Sequence, residues 1–355
     1  MKRNFFRSGL LALICLTFVV SSYSQPQIIS KGTVVRIKVH GKSLEGNLGG
    51  DSADRNVSIY LPAGYKNNPK KHYPVVYFLH GFTNTDAQWY GLRKHWVNLP
   101  SIIDTVVSGG DSKEMIFVTP DAYTRFQGSW YSNSITTGNW EDFVAKELVA
   151  YIDNHYRTIA APEARGLAGH SMGGYGAMRI GQKYPEVFST VYLLSPATLA
   201  PNTSFPITAK TEAIKSVEEF EKSDFLTKVA FALAAAWSPD LNNSPLYLQL
   251  PVKDGQQQAL VQAKWAANAP LASLDQYIGN IKKLKAMGFD AGDKDASIAA
   301  SIKILHQELA KYGIKHQFEI YDGNHTNRVP VRIRDKMLPF FSENLSAATT
   351  AKKRE

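Results

Sequence analysis

The stretch Gly169-His170-Ser171-Met172-Gly173-Gly174 restricts what this chain can fold into more than any other. The apolar pair Leu167-Ala168 leads into it, and Tyr175-Gly176-Ala177-Met178-Arg179-Ile180 follows with helical spacing. A Gly-x-Ser-x-Gly segment between a buried strand and a helix is a sharp turn that lifts the serine hydroxyl clear of the sheet. Only residues without bulk fit beside such a turn, and Gly169 and Gly173 supply them. The turn also aims the first amides of the new helix at the space above the serine, where negative charge develops during acyl transfer.

The flanking sequence predicts the sheet that this turn requires. Thr33 to His40 and Arg55 to Leu61 alternate as strands on either side of a Gly/Asp-rich turn, an antiparallel start. Tyr73 to His80 is a nearly continuous apolar run, the mark of a strand buried on both faces. From there strands at 115–119, 188–194, 284–291 and 315–321 alternate with helices at 99–107, 140–156, 297–312 and 331–345, the pattern of a mostly parallel sheet with helices on both faces. Between Pro196 and Gln276 the alternation breaks into helical stretches (217–237 and 256–267) and scattered prolines. A bare connection of that length is improbable in a compact domain, so this segment is expected to be a largely helical insertion, a lid over the strand ends. The loop from Pro120 to Asn139, with Trp140 at its end, carries Tyr123, Phe126, Trp130 and Tyr131, an unusual aromatic density for a connection.

Lys2, Arg3 and Arg7 precede an apolar run from Leu10 to Val20 and the small residues Ser22 and Ser24, the order of a secretory signal cleaved before Gln25. The expected organisation is a signal peptide over 1–24, a catalytic domain over 25–348 with its insertion at about 196–276, and a basic tail over 349–355. The mature chain is then secreted or periplasmic, without stable membrane insertion. The one cysteine, Cys15, lies in the leader, which excludes a thiol nucleophile, a cysteine zinc site and a disulfide framework from the mature chain. The net charge of +9 is spread without a basic stripe interleaved with aromatics, so no nucleic-acid partner is expected.

A serine hydroxyl is a poor nucleophile at neutral pH and needs a base within reach, itself oriented by an acid. In elbow folds the order is Ser, then Asp or Glu, then His, on loops after later strands. His325, in Asp322-Gly323-Asn324-His325-Thr326 after the last predicted strand, is the base; His306 lies on a helix, His316 at the wrong end of a strand, and His170 is expected to point away. The acid comes from Asp290, Asp293 or Asp295 in the loop after the penultimate strand, with Asp295 preferred and a helix N-cap as its competing role. The backbone amides of Met172 and Phe82 are the expected oxyanion donors. Trp130, Tyr131 and Trp89 are candidate substrate contacts. The scheme calls for no metal or cofactor.

Tyr77-Phe78-Leu79-His80-Gly81, Asn139-Trp140-Glu141-Asp142-Phe143, Gly169 to Ala177, Gly292 to Asp295 and Gly323 to His325 together resemble the esterase family of α/β-hydrolases that includes esterase D, S-formylglutathione hydrolases, feruloyl esterases and mycolyltransferases. The resemblance implies an α/β-hydrolase fold and a serine acyl hydrolase with Ser171, Asp295 and His325 in the catalytic positions. The expectation is an exported carboxylesterase acting on a small-molecule or polysaccharide-linked ester, such as a feruloyl or other aromatic acyl ester of plant cell-wall material. An acyltransferase shares the first half-reaction. A catalytically inactive binding protein would be expected to have lost a member of the triad. The oligomeric state is open at this stage.

Overall fold

The computed structural model describes residues 29–201 and 205–347, together with Met1. The expected signal peptide with Cys15 and the basic tail lie outside the described residues. Eight strands form the main sheet: β1 (Thr33–His40), β2 (Asp54–Leu61), β3 (Val75–Leu79), β4 (Ile116–Pro120), β5 (Arg165–His170), β6 (Thr190–Leu194), β7 (Ala286–Gly292) and β8 (Gln317–Tyr321). Their spatial order is β1-β2-β4-β3-β5-β6-β7-β8. β1 pairs antiparallel with β2, and β2 antiparallel with β4; every pairing from β4 to β8 is parallel.

Burial explains why the central strands read as unbroken apolar runs. Val75, Tyr77 and Leu79 of β3 point into one core with the helical run α2 (140–155), α3 (Met172–Lys183) and the insertion. Val76 and Phe78 point to the opposite core, with α1 (Leu99–Gly109) and the C-terminal helical run at 329–344. A strand sandwiched in this way has no wet face on which to place a polar residue.

The insertion holds a short helix Val217–Glu221, then α4 (Phe225–Trp237) and α5 (Ala259–Asn268), and a two-residue hairpin pairing 252–253 with 256–257. It docks through aromatics. Trp237 lies 5.7 Å from Trp130, 5.4 Å from Tyr175 and 5.8 Å from Trp265, ring centre to ring centre. Hydrogen bonds seal the seam: Ser134 Oγ donates to the Ala235 carbonyl at 2.6 Å and Tyr175 Oη to the Asn268 carbonyl at 2.8 Å. Rings of this size remove large apolar areas from water with few rotatable bonds, which explains the aromatic density of the 120–139 loop.

Asp290, one of the three acid candidates, belongs to the fold. It is 1% exposed and accepts from Tyr192 Oη at 2.7 Å and Arg332 Nε at 2.9 Å, while Arg332 forks onto Glu319 with two bonds of 2.8 Å. Burial pushes the Asp290 carboxyl up to about 6. Replacing Arg332 by Met would leave a buried carboxyl without its cation. Arg332→Met is therefore expected to cost about 3–5 kcal/mol of stability, measured as a lower urea midpoint at unchanged slope.

Candidate active site

β5 ends at His170 and α3 begins at Met172, so Ser171 alone makes the turn, at φ 58° and ψ −115°. A non-glycine residue there stores roughly 1–3 kcal/mol of backbone strain. The surroundings enforce it. The Ser171 amide donates to the Leu194 carbonyl of β6 at 3.0 Å, and its carbonyl accepts from Tyr175 at 3.0 Å and Ala197 at 3.1 Å. A Cβ on Gly173 would sit 1.9 Å from the Leu79 carbonyl oxygen, and one on Gly169 would sit 2.2 Å from that of Gly173. The elbow is thus pressed directly onto the end of β3, the strand that leads into the Gly81-Phe82 loop.

His325 Nε2 lies 2.8 Å from Ser171 Oγ, and His325 Nδ1 lies 2.5 Å from Asp295 Oδ2. An ionised carboxylate only accepts, so Nδ1 carries the hydrogen and Nε2 is left to accept from the serine hydroxyl. Asp295 does occupy the N-cap position of α6 (Ala296–Lys311), yet its side chain makes no capping bond. Its carboxylate turns to the histidine instead.

Asp293 does a third job. Its Oδ1 accepts from the Gly323 amide at 3.0 Å, while the Asp293 and Lys294 amides donate to the Tyr321 and Gly323 carbonyls at 2.8 and 2.9 Å. A Cβ on Gly292 would fall 2.2 Å from the Gly323 oxygen, so the acid and histidine loops touch backbone to backbone. Asn324 then shapes the histidine turn, its Oδ1 accepting from the Thr326 amide at 3.0 Å and the Asn327 amide at 2.9 Å.

His170 was expected to point away from the chemistry; its side chain makes no hydrogen bond to Ser171, but it packs against His325 at 4.9 Å between ring centres. Its Nε2 lies 2.9 Å from the His325 carbonyl oxygen, which fixes Nε2 as a donor. Burial pushes His170 down to about 3, so the ring stays neutral and holds the histidine loop without adding a charge beside it.

Among the described residues, neither the Phe82 nor the Met172 amide donates to a protein acceptor. The loop carrying Phe82 is pinned from several sides. Buried His80 donates from Nδ1 to the Gly81 carbonyl at 2.9 Å and accepts at Nε2 from the Ala122 amide at 2.8 Å. The Thr83 amide donates to the Gln127 carbonyl at 3.0 Å. Burial lowers the pKa of His80, in keeping with a neutral ring that donates on one side and accepts on the other.

The aromatic candidates take another role from the one expected. Tyr131 is fully buried and its hydroxyl donates to the His80 carbonyl at 3.1 Å; Trp89 is fully buried and its Nε1 donates to Asn84 Oδ1 at 3.1 Å. Trp130 is 3% exposed, filling the seam with the insertion. Side chains so enclosed present little surface to a ligand, and the contacts that all three make are with the Phe82 loop and the insertion. Sequence reasoning missed His80, His170 and Asp293 as supports. The histidines had one available signal, their places at the ends of β5, which leads into the elbow, and of its parallel neighbour β3.

Among the described residues no group of three or more His, Cys, Asp and Glu gathers as metal ligands, and no helix is long and apolar enough to cross a membrane.

The family model Esterase, described as "Putative esterase", matches residues 52–329. Esterase Rv1288 of Mycobacterium tuberculosis (strain ATCC 25618 / H37Rv) is 26% identical over 285 residues, covering 77% of this chain and 52% of the relative. The chain thus spans about half the length of that curated relative. An endo-1,4-beta-xylanase/feruloyl esterase of Xylanibacter ruminicola is 30% identical over 150 residues, 41% of this chain and 20% of the relative. Among solved structures, a ferulic acid esterase superposes with a TM-score of 0.62 at 22% identity, covering 89% of this chain and 99% of its own.

Proposed function

Since the chain belongs to the esterase family of α/β-hydrolases, we propose that it is an exported serine carboxylesterase that cleaves aromatic acyl esters of the feruloyl type through an acyl-enzyme. The observation that carries this reading is the unbroken relay Ser171 Oγ, His325 Nε2, His325 Nδ1, Asp295 Oδ2, with the serine raised on a strained elbow. Ser171 Oγ attacks the ester carbonyl as its proton passes to His325 Nε2, and the Asp295 carboxylate stabilises the imidazolium. The carbonyl oxygen, now an oxyanion, is received by the Phe82 and Met172 amides, which need no reorganisation when the charge appears. Collapse expels the alcohol, protonated by His325. Water, deprotonated by the same nitrogen, then releases the acid and restores the serine.

The relatives named as feruloyl esterases support the aromatic acyl group, and the charged-then-apolar leader supports export. The mature protein assayed with methyl ferulate and short p-nitrophenyl esters is expected to release ferulate and nitrophenol, and a fluorophosphonate probe is expected to label Ser171. Folded protein that neither labels nor turns over any ester of the panel would overturn the reading. Ester products formed in place of free acid when an alcohol or sugar is added would assign the second half-reaction to acyl transfer.

A further inference from the structure

Among the described residues, two aromatic side chains that pack against Phe82 and His170, the neighbours of the relay, remain open to solvent. Phe225, the first residue of α4, is 61% exposed, and its neighbour Leu226 is 55% exposed. The Phe225 ring meets the Phe82 ring edge to face at 5.8 Å. Phe82 supplies the expected oxyanion amide, so the insertion places an exposed apolar wall beside the oxyanion side of the site. Trp96, 43% exposed, meets His170 edge to face at 5.7 Å, and His170 lies 4.9 Å from His325. That wall stands on the histidine side.

The chemistry distinguishes the two sides. The leaving alcohol must receive its proton from His325 Nε2, so the alcohol portion of an ester lies toward the histidine. With the carbonyl oxygen in the oxyanion site, the acyl substituent takes the remaining direction, away from the histidine. Apolar side chains left in water at these two edges gain free energy when a ligand's apolar surface covers them.

We infer that Phe225, with Leu226, is the contact that selects the acyl group, and that Trp96 is the contact that selects the alcohol. This rests on the serine-esterase reading. The insertion then acts as a specificity element for the acid half of the substrate, and the segment before α1 as one for the alcohol half. Both walls favour apolar or aromatic substituents.

The test compares two ratios of kcat/KM. The acyl ratio is p-nitrophenyl ferulate over p-nitrophenyl acetate, and the alcohol ratio is benzyl acetate over methyl acetate. Phe225→Ala is expected to lower the acyl ratio about tenfold and leave the alcohol ratio unchanged. Trp96→Ala is expected to do the reverse, and Leu226→Ala to follow Phe225→Ala with a smaller effect. Leu260→Ala, which removes another exposed apolar side chain of the insertion, moves neither ratio. Fluorophosphonate labelling and thermal melting are read on every variant. Labelled, folded variants whose ratios stay within twofold of wild type, or whose effects are exchanged, overturn the inference while leaving the esterase reading intact. Wild-type protein that does not label overturns the esterase reading itself.

Discussion

Ser171→Ala is expected to lose about a millionfold in turnover of a p-nitrophenyl ester, the scale seen when a serine hydrolase loses its nucleophile. The substitution removes one oxygen and nothing else that the elbow needs. The Leu194, Tyr175 and Ala197 bonds that hold the turn are all made by the Ser171 backbone, and alanine keeps them. Melting should therefore stay within a degree or two of wild type while labelling by a fluorophosphonate disappears. A residual rate above that of water is also expected, because the proposed oxyanion donors, the Phe82 and Met172 amides, are backbone groups that the substitution leaves in place. Single-turnover measurement with the variant at excess concentration reads that residue. Turnover near the wild-type level would require another nucleophile, and the Ser171–His325 contact of 2.8 Å would then have no catalytic meaning.

The parts of this site that could be read from the sequence are those set by short-range pattern. The elbow was legible because a glycine-flanked serine between an apolar strand and a helix has few other uses, and the structure gives the reason in two glycine contacts under 2.5 Å. His325 was legible because a Gly/Asn loop after the last strand leaves a histidine free to swing. What could not be read were roles decided by which loops meet. Position before the next helix favours Asp295 over Asp290 and Asp293, but the sequence does not show what each carboxylate meets. Their roles separate only when Arg332, the Gly323 amide and His325 arrive from 30 or more residues away. The aromatic loop was only partly legible for a related reason: composition records how many rings a segment carries, not which of them an insertion covers. Trp130 is buried with Trp237 packed on it, whereas Phe225, the first residue of its helix, stays 61% exposed.

Asp295→Asn is expected to lower turnover at neutral pH by about 10⁴-fold, and the three acid positions together show why this is a test of role and not of charge alone. The carboxylate fixes the hydrogen on His325 Nδ1 and leaves Nε2 free to accept. An amide offers N–H groups as well as an oxygen, so the imidazole can turn its lone pair toward residue 295 and place its hydrogen on Nε2, where it cannot take the serine proton. Asn is as good an N-cap as Asp, so a helix-starting role for residue 295 would survive the change untouched. Unchanged melting with a collapse in kcat would separate base orientation from capping. Asp293→Asn keeps an oxygen for the Gly323 amide and is expected to leave turnover within a fewfold of wild type, whereas Asp290→Asn weakens the buried Arg332 pair and registers in stability. If Asp295→Asn retained wild-type turnover while Asp293→Asn abolished it, the short Asp295–His325 contact would have to be given up as the orienting bond.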